Sequence, residues 1–277
     1  MSKSKHPRLK SFGQWLLWVA LAGIALQIFF VARIALMAVV APESTAFMRS
    51  EAWRIAEHSV EKDASWHWAH QWVPYDKISP HLKRAVMASE DAGFASHGGV
   101  DWDAIQAAWA KNERRQQVAE KLAERRAERE ARLAAKRISA GKAPPPSTPA
   151  TDKPAKVIGG STITQQLAKN LLLSGERNLL RKGQELLLTL TLEALLSKTR
   201  ILEIYLNSVE WGDGVFGAEA AAQRYFKKSA SQLNPSEAAR LAVMLPSPKF
   251  FETRQGSAYL ARRTGVIVAR MGAVSAP

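Results

Sequence analysis

The stretch that decides the fold reads G-G-S-T-I-T-Q-Q-L-A-K-N and spans residues 159–170. Its two glycines end one element, and Ser161 or Thr162 can cap a helix that follows. Along this helix Thr162, Gln166 and Lys169 share one face, and the opposite face is apolar. A helix start after glycines exposes unpaired N–H groups and the positive end of the dipole, which together with Lys169 suit a phosphate or pyrophosphate. An ordinary capped amphipathic helix is the competing interpretation.

The chain on both sides of this stretch also has helical patterns. Apolar positions recur at helical spacing in residues 82–88, 179–206 and 237–245, and no stretch shows sustained alternation. Asn234 is followed by a proline and a glutamate in the positions that start a helix, and Pro246 stops the same helix. The sequence therefore predicts a mainly α fold.

Composition limits the classes of partner. The 277 residues include 39 Lys and Arg against 25 Asp and Glu, a formal charge of +14 that favours nucleic acid, phospholipid headgroups or a phosphorylated substrate. There is no cysteine, so disulfides and thiolate metal sites are excluded.

The N-terminus predicts a membrane anchor. Residues 12–32 carry no formal charge and are long enough to cross a hydrocarbon core of roughly 30 Å as a helix. The charged residues before them are all basic, so the positive-inside rule predicts residues 1–11 as a cytoplasmic tail, 12–40 as the anchor and 41–277 as a domain on the periplasmic or extracellular side. A cleaved signal peptide is the alternative, but its apolar core would be shorter.

One segment, residues 111–156, departs from the amphipathic pattern. It holds 13 Lys and Arg and 6 Asp and Glu, a net charge of +7. Its first part, to about residue 138, predicts a solvated helix, and the remainder is a proline-rich linker. We interpret the segment as a solvated insertion without chemistry, with contact to anionic lipid headgroups as the alternative.

Paired acids follow the helical turn at residues 82–88. Glu90 and Asp91 precede His97 and two glycines. The C-terminal end of a helix disfavours an anion, so it would raise a carboxylate pKa and suit a general base. A solvated turn without a function is the alternative interpretation. A metal site formed by Glu90, Asp91 and His97 is a further alternative, but their spacing matches no known metal-binding signature.

Two further stretches complete a recognisable order. R-K-G-Q-E begins at Arg181 and sets Arg181 and Glu185 at helical i,i+4 spacing, while K-T-R-I-L-E-I-Y-L-N begins at Lys198 and reads as ordinary amphipathic helix. With E-D-A-G-F-A-S-H-G-G-V-D from Glu90 and the stretch at 159–170, these motifs resemble those of peptidoglycan glycosyltransferases of the penicillin-binding-protein type. The monofunctional biosynthetic transglycosylases are the most similar.

The resemblance implies a mainly α, lysozyme-like two-lobed domain with one N-terminal transmembrane helix, which polymerises lipid II outside the cytoplasmic membrane. It implies Glu90 as the base and Glu185 as the group that assists pyrophosphate departure, directly or through a divalent cation such as Mg or Mn. No organic cofactor is expected. The implied substrate-binding residues are Asp91, Phe94, His97, Ser161, Thr162, Gln166, Lys169, Arg177 and Arg181.

The implied partners are lipid II, the growing glycan strand, the lipid bilayer and other cell-wall synthesis or division proteins, but no nucleic acid. Two features depart from the family pattern: the insertion at 111–156, and Lys227 where a glycine commonly follows R-Y-F. Ser59 and Lys62 match S-x-x-K, but no S-x-N or K-T-G follows, so we interpret that match as chance. A membrane-anchored, lysozyme-like enzyme that cleaves glycan and a basic scaffold or nucleic-acid-binding membrane protein are the alternatives.

Overall fold

The structure, a computed structural model, describes residues 7–62, 67–140, 160–173 and 179–277. Within these ranges helices dominate, which confirms the predicted fold class. The helices are α1 Pro7–Leu36, α2 Ala46–Lys62, α3 Pro80–Glu90, α4 Trp102–Ser139, α5 Ile163–Leu172, α6 Leu179–Leu195, α7 Lys198–Ser208, α8 Ala218–Phe226, α9 Pro235–Met244, α10 Pro248–Glu252 and α11 Ala258–Arg270. The strands are β1 Ala69–His70, β2 Glu210–Gly212 and β3 Val215–Phe216. The chain divides into two compact units, Met1–Val100 with Thr162–Pro277, and Asp101–Ser161.

The core of the first unit lies between two groups of helices. Helices α3, α9 and α11 pack on one another, and α5 packs against α6 and α7. The predicted apolar face of α5 is buried, since Ile163, Leu167 and Leu171 are at most 1% exposed. Burial of a leucine or isoleucine side chain stabilises a fold by about 1.5–3 kcal/mol, so this face fixes α5 in the core and turns its polar face outward.

Helix α1 contains the candidate membrane span. Its segment Phe12–Leu36 has a mean hydropathy of 2.2 and is long and apolar enough to cross a bilayer, by length and composition. The anchor was predicted to extend to residue 40, but the helix ends at Leu36. Met37 is buried in the core of the first unit, and its carbonyl accepts a hydrogen bond of 2.7 Å from Arg200 Nε. This bond satisfies a carbonyl that a helix end leaves unpaired, so the chain enters the domain core directly from α1.

The small sheet joins the segment before α3 to the end of α7. Strand β1 pairs in parallel with β3, and β2 pairs antiparallel with β3. Asn207, the penultimate residue of α7, accepts from the Val73 N–H and donates to the Val73 carbonyl, both at 2.9 Å. Gly217 has a φ of +83°, and a Cβ there would lie 2.8 Å from the Asn207 carbonyl oxygen, so this turn requires glycine.

Helix α4 makes up most of the described part of the second unit. Its 38 residues would extend about 57 Å at the usual helical rise. The predicted solvated helix is confirmed, and Val118, Leu122 and Leu133 are exposed along it. The helix begins at Trp102, however, nine residues before the predicted start of the insertion, because Asp101 caps it by accepting from the Ala104 N–H at 2.8 Å. The proline-rich remainder lies outside the described residues.

Two helix ends can be compared with the signals predicted from the sequence. Asn234 and Glu237 form a reciprocal capping box at the start of α9, with Pro235 at the first helical position, as the sequence predicts. Helix α8 ends at Lys227 in the left-handed conformation, with φ 56° and ψ 36°. Among the described residues this is the one non-glycine residue with positive φ. The turn that glycine favours is therefore formed here by lysine.

Candidate active site

Glu90 is the last residue of α3 and is connected to two other motifs by hydrogen bonds. Gln166 Nε2, on α5, donates to Glu90 Oε2 at 3.1 Å. The hydroxyl of Tyr205, on α7, in turn donates to Gln166 Oε1 at 2.9 Å. Ser89 Oγ donates to the other Glu90 oxygen at 3.3 Å. The structure therefore brings the predicted base into a hydrogen bond with Gln166, and the buried Tyr205 holds the Gln166 side chain in that position.

The pKa of Glu90 is raised from the ordinary glutamate value. Burial is the largest cause, because it removes water from the charged form, and the charge of Asp91 acts in the same direction. The hydrogen bonds from Gln166 and Ser89 oppose the shift. The direction matches the expectation from sequence, which had attributed it to the end of the α3 dipole, whereas burial is the main cause.

The carboxylate of Asp91 lies at the start of α5, where the sequence predicted unpaired N–H groups. Its Oδ2 accepts from the Ile163 N–H at 3.0 Å, and its Oδ1 accepts from His97 Nε2 at 2.8 Å. The Thr162 N–H donates to Gln165 Oε1, and the Gln165 N–H donates to Thr162 Oγ1. The N–H groups of Thr162, Ile163 and Gln165 are therefore not free for a phosphate, because a carboxylate and a capping box already satisfy them.

The glycine-rich loop after Glu90 packs against α5 and α6. Thr162 Oγ1 donates to the Gly99 carbonyl at 2.6 Å, so Thr162 is the cap and also joins this loop to α5. Gly99 has a φ of +87°, and a Cβ there would lie 2.8 Å from side-chain atoms of Thr189 and Glu193. The loop can therefore approach α6 this closely only with glycine.

Phe94 and His97 lie in this same loop, and both contact Lys198 of α7. Phe94 is fully buried and meets the His97 ring edge-on, with 6.5 Å between ring centroids. Lys198 Nζ lies 4.5 Å from the Phe94 ring centroid and donates to the His97 carbonyl at 2.6 Å. Like Glu90, the side chains of Asp91, Phe94 and His97 do not line the cleft of this unit, and their contacts hold the loop against α5 and α7.

A cleft of about 490 Å³ lies beside Gln166. Two cationic side chains from predicted positions, Lys169 on α5 and Arg181 on α6, face it together. Lys169 is exposed and Arg181 is half-buried, so both charges are accessible to a ligand that enters the cleft. This arrangement suits an anionic group such as a diphosphate.

Glu185 lies behind Arg181. It is 5% exposed, and its two oxygens face Arg181 Nη1 at 3.4 Å and Lys182 Nζ at 2.5 Å. Both oxygens therefore face cations, and the ion pair with Arg181 holds that side chain beside the cleft. Of the remaining predicted residues, Ser161 is exposed in the second unit, and Arg177 lies outside the described residues.

The sequence did not predict the acidic cluster of the cleft, which consists of Glu51 and Glu210. Glu51 on α2 and Glu210 on β2 both line it, and Lys249 Nζ lies 2.5 Å from Glu51 Oε2 and 3.3 Å from Glu210 Oε1. Burial raises the pKa of Glu210 to about 7, and Lys249 opposes that shift. Tyr205 was also missed, because its motif reads as plain amphipathic helix. No local signal could have paired Glu51 with Glu210, since they come from distant parts of the chain.

The mainly helical fold agrees with the protein family to which the chain is similar. A family model described as Transglycosylase matches residues 58–120 and 149–272, which is more than half of the chain. The chain therefore belongs to the transglycosylase family, whose mainly α domain is lysozyme-like. The unmatched residues 121–148 fall inside the predicted insertion.

Curated relatives specify the polymer on which the family acts. The chain is 47% identical over 259 residues to a protein of Paraburkholderia xenovorans, covering 94% of this chain and 90% of the relative. It is 48% identical over 267 residues to one of Burkholderia thailandensis, covering 94% and 88%. It is also 46% identical over 278 residues to one of Burkholderia pseudomallei, covering 99% and 92%. All three are named biosynthetic peptidoglycan transglycosylase, so the chain is a glycosyltransferase of peptidoglycan biosynthesis.

Proposed function

We propose that this enzyme polymerises lipid II into β-1,4-linked glycan strands and releases undecaprenyl diphosphate. The observation that carries the proposal is the hydrogen-bonded chain from Tyr205 through Gln166 to Glu90, next to a cleft that presents Lys169 and Arg181. A single inverting displacement needs one base on the acceptor side and positive charge where the diphosphate leaves. The cleft offers the positive charge, and Gln166, which lines the cleft, holds Glu90 beside it.

In the proposed step Glu90 is the base. It removes the proton from the 4-hydroxyl of the acceptor sugar, the oxygen bonds to the anomeric carbon of the donor, and the bond from that carbon to the diphosphate oxygen breaks. A carboxylate has about four lone-pair sites, and the bonds from Gln166 and Ser89 occupy two of them, which leaves sites for the hydroxyl. The raised pKa brings Glu90 closer to neutral pH, where a base is more effective.

In this proposal the leaving diphosphate lies at the cationic side of the cleft, which Lys169 and Arg181 form. Lys169 and Arg181 would each donate charge-assisted hydrogen bonds to it, and Arg177 would join them by analogy with the family. Glu185 would assist through Arg181, which it holds in place, and we favour this role over a divalent cation at this carboxylate.

The lipid-linked substrate also explains the candidate anchor. Three lysines and one arginine precede the apolar segment Phe12–Leu36, without acidic residues. We therefore propose that the N-terminus lies in the cytoplasm and the catalytic domain on the periplasmic face of the inner membrane. Contacts with other cell-wall synthesis or division proteins belong to the same proposal, and nucleic acid does not.

Polymerisation by the purified full-length protein tests this function. Incubated with lipid II in detergent, the wild type should give glycan products that separate by size. Glu90→Gln should lower the rate about 10²- to 10⁴-fold, because it removes the proton acceptor and keeps the shape of the side chain. Glu57→Gln, which changes an exposed glutamate on α2, is the matched control and should remain active.

Thermal unfolding separates catalysis from folding in these variants. Glu90→Gln should unfold at nearly the wild-type temperature. Near-normal polymerisation by Glu90→Gln would refute the base assignment. Cleavage of finished glycan without any polymer from lipid II would instead identify a lytic enzyme.

A further inference from the structure

The candidate anchor and α6 are joined by a reciprocal pair of amides. Gln27 Nε2 donates to Gln184 Oε1 at 2.8 Å, and Gln184 Nε2 donates back to Gln27 Oε1 at 3.1 Å. Gln27 interrupts an otherwise apolar segment of α1. Both side chains are half-buried against each other. Each amide therefore satisfies a donor and an acceptor of the other.

The pair lies at a depth where water would be absent if α1 crosses a bilayer. Gln27 is followed on the same face of α1 by Phe30 and Ile34, which pack on the first unit's core, as does Met37 just after the helix. At the usual helical rise, Gln27 lies about 13 Å before the end of α1 at Leu36. Since the hydrocarbon core is roughly 30 Å thick, this places the pair in its outer half.

The exposed side chains of α6 suit the same environment. Leu186, Leu187 and Leu190 are between 38% and 53% exposed, and they continue along the helix that carries Gln184. Leucines exposed on one helix next to a membrane span indicate contact with acyl chains. In that medium an unpaired amide is costly, because no water replaces the lost hydrogen bond.

We propose that Gln27 is a positioning residue: through its amide pair with Gln184, the anchor holds α6 in the outer leaflet and thereby orients Arg181 and Glu185 at the cleft. Gln184 is the immediate neighbour of Glu185, and Arg181 is one turn away on the same helix. Loosening the pair therefore shifts the cationic side of the cleft without touching it. This inference rests on the proposed function, since it needs both the bilayer and a lipid-linked substrate.

A proximity measurement tests the geometry without any assay of activity. The chain has no cysteine, so Gln27→Cys combined with Gln184→Cys introduces the only two thiols. A short thiol-to-thiol cross-linker should join them in the full-length protein reconstituted in lipid nanodiscs, and peptide mass spectrometry identifies the product. Gln14→Cys combined with Gln184→Cys is the matched control, because Gln14 is exposed near the other end of α1. Equal cross-linking of both pairs, or of neither, would overturn the proposed geometry.

Kinetics in the same nanodiscs test the role. Gln27→Leu should lower kcat/KM on lipid II about threefold to tenfold, the range expected from hydrogen bonds between helices in membranes. Gln14→Leu should leave it unchanged. Gln27→Leu combined with Gln184→Leu should recover to within about twofold of the wild type, because no amide is left unpaired. Gln27→Leu should unfold at a somewhat lower temperature, because the Gln184 amide is left unpaired, but it should remain folded at the assay temperature. A merely structural role would lower activity only as far as the folded fraction falls.

The outcomes separate this inference from the proposed function. If the wild type makes no polymer from lipid II, the proposed function fails, and the cross-linking result stands or falls alone. If the wild type polymerises but Gln27→Leu behaves like Gln14→Leu, the positioning role is wrong. A double leucine variant that is worse than Gln27→Leu would also contradict it.

Discussion

Glu90 has a pKa set by opposing contributions from single neighbours. Burial raises it, and the hydrogen bond from Gln166 is the largest opposing effect. The same Gln166 is itself held by the Tyr205 hydroxyl, so the protonation of the proposed base depends on Gln166 and on the residue that holds it. The balance can be shifted by changing one of them.

Gln166→Leu should move the acidic limb of the pH–rate profile to higher pH. The base must be deprotonated to act, and loss of the bond that stabilises its charged form raises the Glu90 pKa further. Polymerisation of lipid II, measured as kcat/KM from about pH 4.5 to 8, checks the shift. Tyr205→Phe is the matched control, since it keeps the Gln166 bond to Glu90 and should shift the limb less. A limb that stays in place or moves to lower pH would contradict the assignment.

At the scale of elements, α5 shows what the sequence could predict and what it could not. Its apolar face, its cap at Thr162 and the outward position of Lys169 follow from spacing within a dozen residues, and the structure confirms them. Three of the N–H groups expected to be unpaired at its start are satisfied, and one of them, the Ile163 N–H, donates to Asp91 from a distant part of the chain. Partners of that kind depend on tertiary packing, and no local pattern encodes them. Tyr205 and Glu210 were missed for the same reason.

The end of α8 offers a test of local conformation. Lys227 is exposed and left-handed, a conformation that costs a non-glycine residue about 1–2 kcal/mol. Lys227→Gly should therefore raise the free energy of unfolding, by about 1 kcal/mol after the greater flexibility of glycine in the unfolded chain is deducted. Urea unfolding of the full-length protein in detergent measures the change. Lys227→Ala removes the same side chain but keeps the conformational cost, so it should give no comparable gain. Equal stabilisation by both variants would attribute the effect to the lysine charge.

At the scale of the whole molecule, positive charge is concentrated outside the cleft. Residues 111–156 supply a net +7 of the chain's formal +14, and the described part of this segment is exposed helix. The family model passes over residues 121–148 within it. The charge is therefore separable from the motifs, and it suits attraction to an anionic membrane surface better than catalysis.

Replacing residues 121–148 with a Gly/Ser linker should preserve polymerisation of lipid II in detergent, because every proposed catalytic group lies outside this range. On anionic vesicles the same variant should bind more weakly, since each Lys or Arg near such a surface contributes about 1 kcal/mol. The difference from wild type should shrink as salt is raised, because screening shortens the reach of the charges. Arg125→Gln combined with Arg126→Gln and Arg129→Gln keeps the length and lowers the charge, so it should reproduce part of the binding loss. A linker variant that folds but loses activity in detergent would place the segment in the catalytic machinery, and the proposed domain organisation would then be wrong.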